Sequence, residues 1–321
     1  MWSRRAVLRG GTALGALALL PMRPGFAATD QLRLGLSHEP PNLDPTAGDD
    51  PATLAVSYQN LFEGLTRIDE QGNAQPCLAK SWALSANGLT YSFALHDQVH
   101  FHDGTSFDAA HAVFTLNRLR TSTDNPGRAA FAVIANVVAS DQATLQVTLK
   151  APAQNLLVDL GRPAASMVAP ESADNNRQVP IGTGSFALTD WHAGNSITLE
   201  RNEDYWGVHP RINAASFVFI ADPAAALAAL LAGQIDGFPS FPAPALLEAV
   251  KSDPAITVTT GTSSDGKPRF GVWNSQLLGM WRDAPVESCV LAGIRWSTDN
   301  GLPDTGPAPP PVAGPGESTD D

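Results

Sequence analysis

The stretch YSFALHDQVHFHDG, Tyr91 to Gly104, carries large apolar side chains at Tyr91, Phe93, Leu95, Val99 and Phe101, with small or polar residues between them. A period of two predicts a half-buried strand over 91–102, with His96, His100 and His102 all leaving from its wetter face. Asp103-Gly104 ends it as a turn. Asp108 then stands where a helix N-cap belongs, and Ala109, Ala112, Val113, Leu116 and Leu119 give the apolar stripe of the helix that follows. Three histidines so close together raise the question of a metal site. Strand positions four apart are already about 13 Å apart and His102 is six positions from His96, so these two cannot share an ion, and a pair with no thiolate or bracketing carboxylate is a poor site. The histidines are read as a solvated strand face, with no metal and no cofactor.

Outward from this stretch the chain alternates strands and helices. Gln31 to Ser37 reads as a strand running into the rigid, proline-marked loop His38-Glu39-Pro40-Pro41-Asn42-Leu43-Asp44-Pro45. Ala52 to Phe62 reads as a helix, with Leu54, Tyr58, Leu61 and Phe62 on one face. Thr144 to Leu149 and Ser196 to Glu200 alternate as strands. Asp222 caps an alanine-rich helix through Ala224, Leu227, Leu230 and Leu231, which Gly233 terminates. Mixed elements without a strict βαβ repeat predict an α/β or α+β architecture. The formal net charge of −12, with no basic cluster beyond the first ten residues, excludes a general nucleic-acid binder.

The N-terminus has the order of an export signal: Arg4-Arg5, an apolar run from Thr12 to Leu20, then Gly25-Phe26-Ala27-Ala28. The paired arginines, with Ser3 before and Leu8 after, resemble a twin-arginine signal over 1–27, which places the mature protein in the periplasm without a lipid anchor. Cys77 and Cys289 permit at most one disulfide.

Several further blocks stand in order along the chain: Glu39-Pro40-Pro41-Asn42-Leu43-Asp44-Pro45, Asn60-Leu61-Phe62-Glu63-Gly64-Leu65, Leu78-Ala79-Lys80-Ser81-Trp82, Phe101-His102-Asp103-Gly104, Ile181-Gly182-Thr183-Gly184-Ser185-Phe186, Leu199 to Gly207 and Gly233-Gln234-Ile235-Asp236. Together they are similar to the extracellular solute-binding proteins, family 5, that serve peptide, dipeptide and nickel ABC importers. The resemblance implies a type II periplasmic-binding-protein fold whose two lobes close on a ligand and dock on a membrane permease. The first lobe would be built from 28–47 and 179–263, with 48–178 as an inserted subdomain. In such proteins the ligand pairs with extended main chain of the first lobe, and the matching positions are Glu39, Pro40, Pro41 and Asn42. The protein would act as a monomer, on a peptide or similar small ligand.

The resemblance stops near Ser263. Residues 264–321 are rich in proline and glycine and read as a divergent, disordered tail, so the second lobe is expected to be largely missing through truncation or frameshift and ligand binding to be impaired. The alternatives are a nickel or other metal-chelate binding protein of the same family and an exported hydrolase. For the hydrolase, Gly182-Thr183-Gly184-Ser185 does not fit the G-x-S-x-G elbow.

Overall fold

A computed structural model describes residues 31–275 apart from 70, 249 and 263–267. The export signal, Cys289 and the greater part of the expected tail lie outside the described residues.

In chain order the elements are β1 (Gln31–Leu36), α1 (Pro51–Ser57), β2 (Thr66–Ile68), β3 (Ala74–Pro76), β4 (Ala79–Leu84), β5 (Thr90–Leu95), α2 (Ala109–Thr121), α3 (Arg128–Phe131), β6 (Ile134–Asp141), β7 (Thr144–Leu149) and α4 (Leu156–Asp159). There follow β8 (Phe186–His192), β9 (Ser196–Arg201), β10 (Ala214–Phe219), α5 (Pro223–Leu231), β11 (Gly237–Phe238), α6 (Pro244–Leu247), β12 (Ile256–Thr262) and β13 (Pro268–Asn274).

They form a seven-stranded sheet in the order β12-β13-β11-β1-β10-β9-β8, a four-stranded sheet β4-β5-β7-β6, and the small pair β2-β3. β1 stands at the centre of the large sheet, with Leu32, Leu34 and Leu36 buried on one face and Gly35 on the other. Its neighbours β10 and β11 run parallel to it, and β9 and β8 continue antiparallel from β10.

The four-stranded sheet has its own core, in which Tyr91, Phe93 and Leu95 of β5 and Leu145, Val147 and Leu149 of β7 meet Ala112, Leu116 and Leu119 of α2. A second core lies on the large sheet and includes Leu32, Leu34, Phe62, Phe186, Leu199, Phe217 and Trp273. A third, beside it, gathers Leu230, Ile235, Phe238, Phe241 and Val272. Between Phe62 and Leu65 the chain passes from the core of the large sheet to that of the smaller one, and over Met167 to Ala173 it returns.

Three expectations are corrected. The strand over 91–102 ends at Leu95, because Gln98 takes φ 62 and turns the chain; beyond it His100 makes only an isolated bridge to Ser106. The helix over 52–62 stops at Ser57. Gln59 has φ 60, and the Asn60 side chain donates to the carbonyls of Ala55 and Val56, closing the helix end. The buried face of α1 is therefore Ala52, Thr53, Val56 and Ser57, not the Leu54–Tyr58 row. Finally, Pro268–Asn274, placed by sequence in a structureless tail, is a strand hydrogen-bonded to both β12 and β11. It escapes a period-two reading because Val272 and Trp273, on opposite faces, are both buried.

The helix starts behave as their sequence predicts. Asp108 accepts from the Ala110 and His111 amides at the start of α2, Asp222 accepts from Ala225 at the start of α5, and Gly233 with φ 69 ends the latter.

Candidate functional site

In an open sheet with parallel strands, the crevice beyond the carboxyl ends is the place where helices and loops diverge and a ligand can enter. Here those ends belong to β1, β10 and β11. The pairing of Leu36 with Phe219, and the bond from the Ile220 amide to the Leu36 carbonyl (2.8 Å), set Ser37 level with Ile220. The pairing of Leu34 with Gly237 sets Leu36 level with Pro239. The wall so formed consists of Ser37 to Asn42, Ile220 to Asp222, and Pro239 to Phe241.

The four residues singled out from sequence are all in the first of these segments, and their side chains face different tasks. Both oxygens of Glu39 are engaged: Oε1 accepts from Trp191 Nε1 at 2.7 Å and Oε2 from the Gly194 amide at 2.9 Å, pinning the loop to the β8–β9 hairpin. Pro40 is buried and Pro41 exposed. Asn42 Oδ1 accepts from the Asp44 amide (2.9 Å) and its carbonyl accepts from Thr53 Oγ1 (2.7 Å). What this segment offers a ligand is thus a fixed, proline-stiffened main chain rather than free side-chain charge. The segments 220–222 and 239–241 were not foreseen. The signal for the first was the Ala221-Asp222-Pro223 junction, where a strand must end for the capped α5 to begin. A separate depression of about 440 Å³, lined by Asp103, Glu171, Asp174 and Arg177 among others, shares no residue with this wall. Two of its charged groups are already engaged, Asp103 by Thr105 and Arg177 by Asp124.

A buried carboxylate stands where the chain passes from the core of the large sheet to that of the smaller one. Glu63 is 4% exposed and accepts four bonds: from Tyr205 Oη (2.8 Å) and, more weakly, Cys77 Sγ (3.9 Å) at Oε1, and from Thr183 Oγ1 (2.8 Å) and Trp206 Nε1 (2.9 Å) at Oε2. Burial outweighs these donors and raises its pKa above the ordinary glutamate value; the bonds from Trp206, Tyr205, Thr183 and Cys77 work in the opposite direction.

A second tie runs through His102. Its Nδ1 accepts from the Gly182 amide (3.3 Å), its Nε2 lies 3.1 Å from the Gly184 carbonyl, and its own amide donates to the Gly182 carbonyl (2.9 Å). This arrangement requires the neutral ring with its proton on Nε2, and burial depresses the His102 pKa accordingly. The expectation of a solvated histidine face is therefore corrected for His102, which is built into the join. His96 instead lies against the ring of Trp206, with centroids 4.7 Å apart. Among the described residues no group of three or more His, Cys, Asp or Glu side chains is placed to hold a metal ion.

The two glycines of Gly182-Thr183-Gly184 are needed for close approach of backbone to backbone. A Cβ on Gly182 would stand 1.9 Å from the Leu61 carbonyl oxygen, and one on Gly184 2.1 Å from that of Asn60. Neither carbonyl can yield, since Leu61 O accepts from the Gly184 amide and Asn60 O from Phe186. Gly182→Ala or Gly184→Ala should each destabilise the protein by about 2–3 kcal/mol or more, read as a lowered urea midpoint.

The profile of the bacterial extracellular solute-binding proteins, family 5 Middle, matches residues 73–276. The chain belongs to this family. The match ends well beyond Ser263, in agreement with β13, so the family pattern persists further than the sequence reading placed it.

Among relatives, the glutathione-binding protein GsiB of Shigella dysenteriae serotype 1 is 30% identical over 260 residues, 77% of this chain and 50% of that protein. The oligopeptide-binding protein AppA of Bacillus subtilis, solved with a nonapeptide, superposes with a TM-score of 0.65 at 26% identity, covering 73% of this chain and 48% of its own. NikZ of Campylobacter jejuni, solved with Ni(L-His), gives 0.65 at 26% identity, covering 74% and 48%. The chain therefore spans about half the length of the relatives it matches. The family consists of substrate-binding proteins of ABC importers and not of enzymes, which removes the exported-hydrolase reading.

Proposed function

We propose that the protein is the solute-binding component of a peptide-type ABC importer, acting as a periplasmic monomer after export by its twin-arginine signal and handing its cargo to a permease. The observation that carries this reading is the wall at the carboxyl ends of β1, β10 and β11, where Glu39 to Asn42 present rigid main chain that a peptide-like backbone can pair with. Likeness to a glutathione-binding protein and to an oligopeptide-binding protein supports a ligand with peptide bonds. In domain terms, 28–47 and 179–263 with the added β13 make the ligand-facing lobe, and 48–178 the inserted subdomain.

The described residues supply one wall only. A ligand held on one side keeps most of its water, so little apolar surface is removed and few polar groups are paired. The 321-residue chain should accordingly bind glutathione weakly, with Kd above about 1 mM, corresponding to less than about 4 kcal/mol. Titration of the isotope-labelled protein with reduced glutathione tests both parts. Amide shifts confined to 37–42, 220–222 and 239–241 support the reading. Shifts elsewhere, or none at saturating concentration, contradict it, and a saturating micromolar heat contradicts the weakness. Likeness to NikZ favours a second reading, a nickel chelate, and the same titration with Ni(L-His) separates the two.

A further inference from the structure

The segment after the proposed ligand loop, 43–46, belongs to no strand or helix, yet Leu43, Asp44, Pro45 and Thr46 are all buried. Its polar groups must therefore be satisfied from elsewhere, and most of the partners come from the inserted subdomain and its return. The Leu43 amide donates to the Arg177 carbonyl at 2.9 Å. Asn125 Nδ2 donates to the Thr46 carbonyl (3.1 Å) and to that of Ala164 (2.8 Å), joining two stretches that are far apart in sequence. Arg118, in the last turn of α2, donates from Nη1 to Thr46 Oγ1 (2.7 Å) and brings Nη2 to 3.5 Å from Asp44 Oδ2. Thr46 Oγ1 in turn donates to Asp44 Oδ1 (2.6 Å), which also accepts from the Thr46 amide (2.8 Å).

Asp44 is the critical member. Its side chain is 1% exposed, and Oδ2 has no hydrogen-bond partner, so the guanidinium of Arg118 is what compensates its charge. A buried carboxylate deprived of its cation is driven toward water, and that movement would pull on Asn42, whose Oδ1 holds the Asp44 amide.

We propose that Arg118 is a positioning residue for the ligand wall: from the inserted subdomain, and without touching solute, it fixes Asp44 and Thr46 and through them the conformation of Glu39 to Asn42. The inference rests on the reading of that segment as ligand-contacting. A wall fixed before the ligand arrives loses less freedom on binding, which gives the insertion a part in affinity.

Hydrogen exchange in the 321-residue protein tests it. In Arg118→Met, which keeps the stem and removes the fork, the amides of Leu43, Asp44 and Thr46 should exchange at least about tenfold faster while those of Ile197 and Leu199 in β9 are unchanged. Arg118→Lys should restore most of the protection. If Arg118→Met folds poorly, the Asp44→Asn/Arg118→Met pair removes the uncompensated charge and should still show the loosened segment. Unchanged exchange at 43–46, or an equal rise at 197 and 199, overturns the proposal. Glutathione-induced amide shifts at Glu39 and Asn42, the two residues of 39–42 that carry an N–H, should shrink in Arg118→Met and return in Arg118→Lys; shifts of equal size in all three proteins would also overturn it. Absent shifts in the unsubstituted protein count against solute binding, whereas the exchange result decides the role of Arg118 in either event.

Discussion

Glu63→Ala is expected to destabilise the protein by about 3–5 kcal/mol, among the largest effects of any single truncation in the described residues. The substitution strands the Tyr205 and Thr183 hydroxyls and the Trp206 indole N–H, each of which bonds Glu63 within 3 Å, in a place where water cannot easily replace the carboxylate. It also opens a cavity where the large sheet meets the smaller one.

Glu63→Gln should behave differently. Its amide oxygen can take over from Oε2, which serves the obligate donor Trp206, while the amide nitrogen faces Tyr205, whose hydroxyl can turn and accept. A cost within about 1.5 kcal/mol is expected.

The pH dependence separates charge from shape. Because the folded-state pKa of Glu63 is raised, the folded protein holds that proton more tightly than the unfolded chain does. The associated stability is complete below about pH 4.3 and is lost as pH rises through the folded-state value. Stability of Glu63→Gln relative to the unsubstituted protein should therefore improve from pH 4.5 to pH 8. His102 works in the opposite sense. Its depressed pKa means stability present above about pH 6.5 and lost as pH falls toward the folded-state value, so acid loosening should persist in Glu63→Gln. Urea midpoints at the two pH values decide: a Gln variant as damaged as the Ala variant, or a difference that does not move with pH, would remove the buried charge from the account.

Where periodicity and capping chemistry agree, the fold was legible in the sequence. Asp108 with the Ala109–Leu119 stripe and the alternation of β7 each combine a local signal with a burial pattern, and tertiary packing had no reason to override them; around α5 the caps Asp222 and Gly233 were legible but the buried face was not, being Ala226, Ala229 and Leu230 while Leu231 is exposed. The end of β5 was not legible, because Val99 and Phe101 are buried like Phe93 and Leu95 and so continue the period through a turn made at Gln98. Of the site, the Glu39–Asn42 loop could be picked out through its prolines. The buried Glu63 could not: an acid between Phe62 and Gly64 looks like any surface residue until Thr183, Tyr205 and Trp206 are brought to it from about 120 to 140 positions away. The adjacent Tyr205-Trp206 pair, two ring-borne donors that need partners when buried, was the available hint.

β13 supplies the second large expected effect. A chain ending at Ser263 should fail to form the seven-stranded sheet, while one ending at Ser275 should unfold cooperatively. Among the described residues β12 is hydrogen-bonded into the large sheet only through β13, so removing the latter takes both strands out of the ladder beside β11. Trp273, fully buried over Gly237 with its Nε1 bonded to Thr259 Oγ1 at 3.0 Å, goes with it. Loss of such a tryptophan alone costs about 3–5 kcal/mol, and the whole stability of a domain is typically about 5–15. With Val272 gone as well, the core that gathers Leu230, Ile235, Phe238 and Phe241 is left open on one side. Trp273→Ala in the 321-residue protein gives the same test without truncation, and should lower stability by about 3–5 kcal/mol and erase part of the near-ultraviolet circular dichroism. Equal urea midpoints for the chains ending at Ser263 and Ser275 would show that β13 adds nothing to the sheet, and the lobe boundary would then return to where the sequence alone placed it.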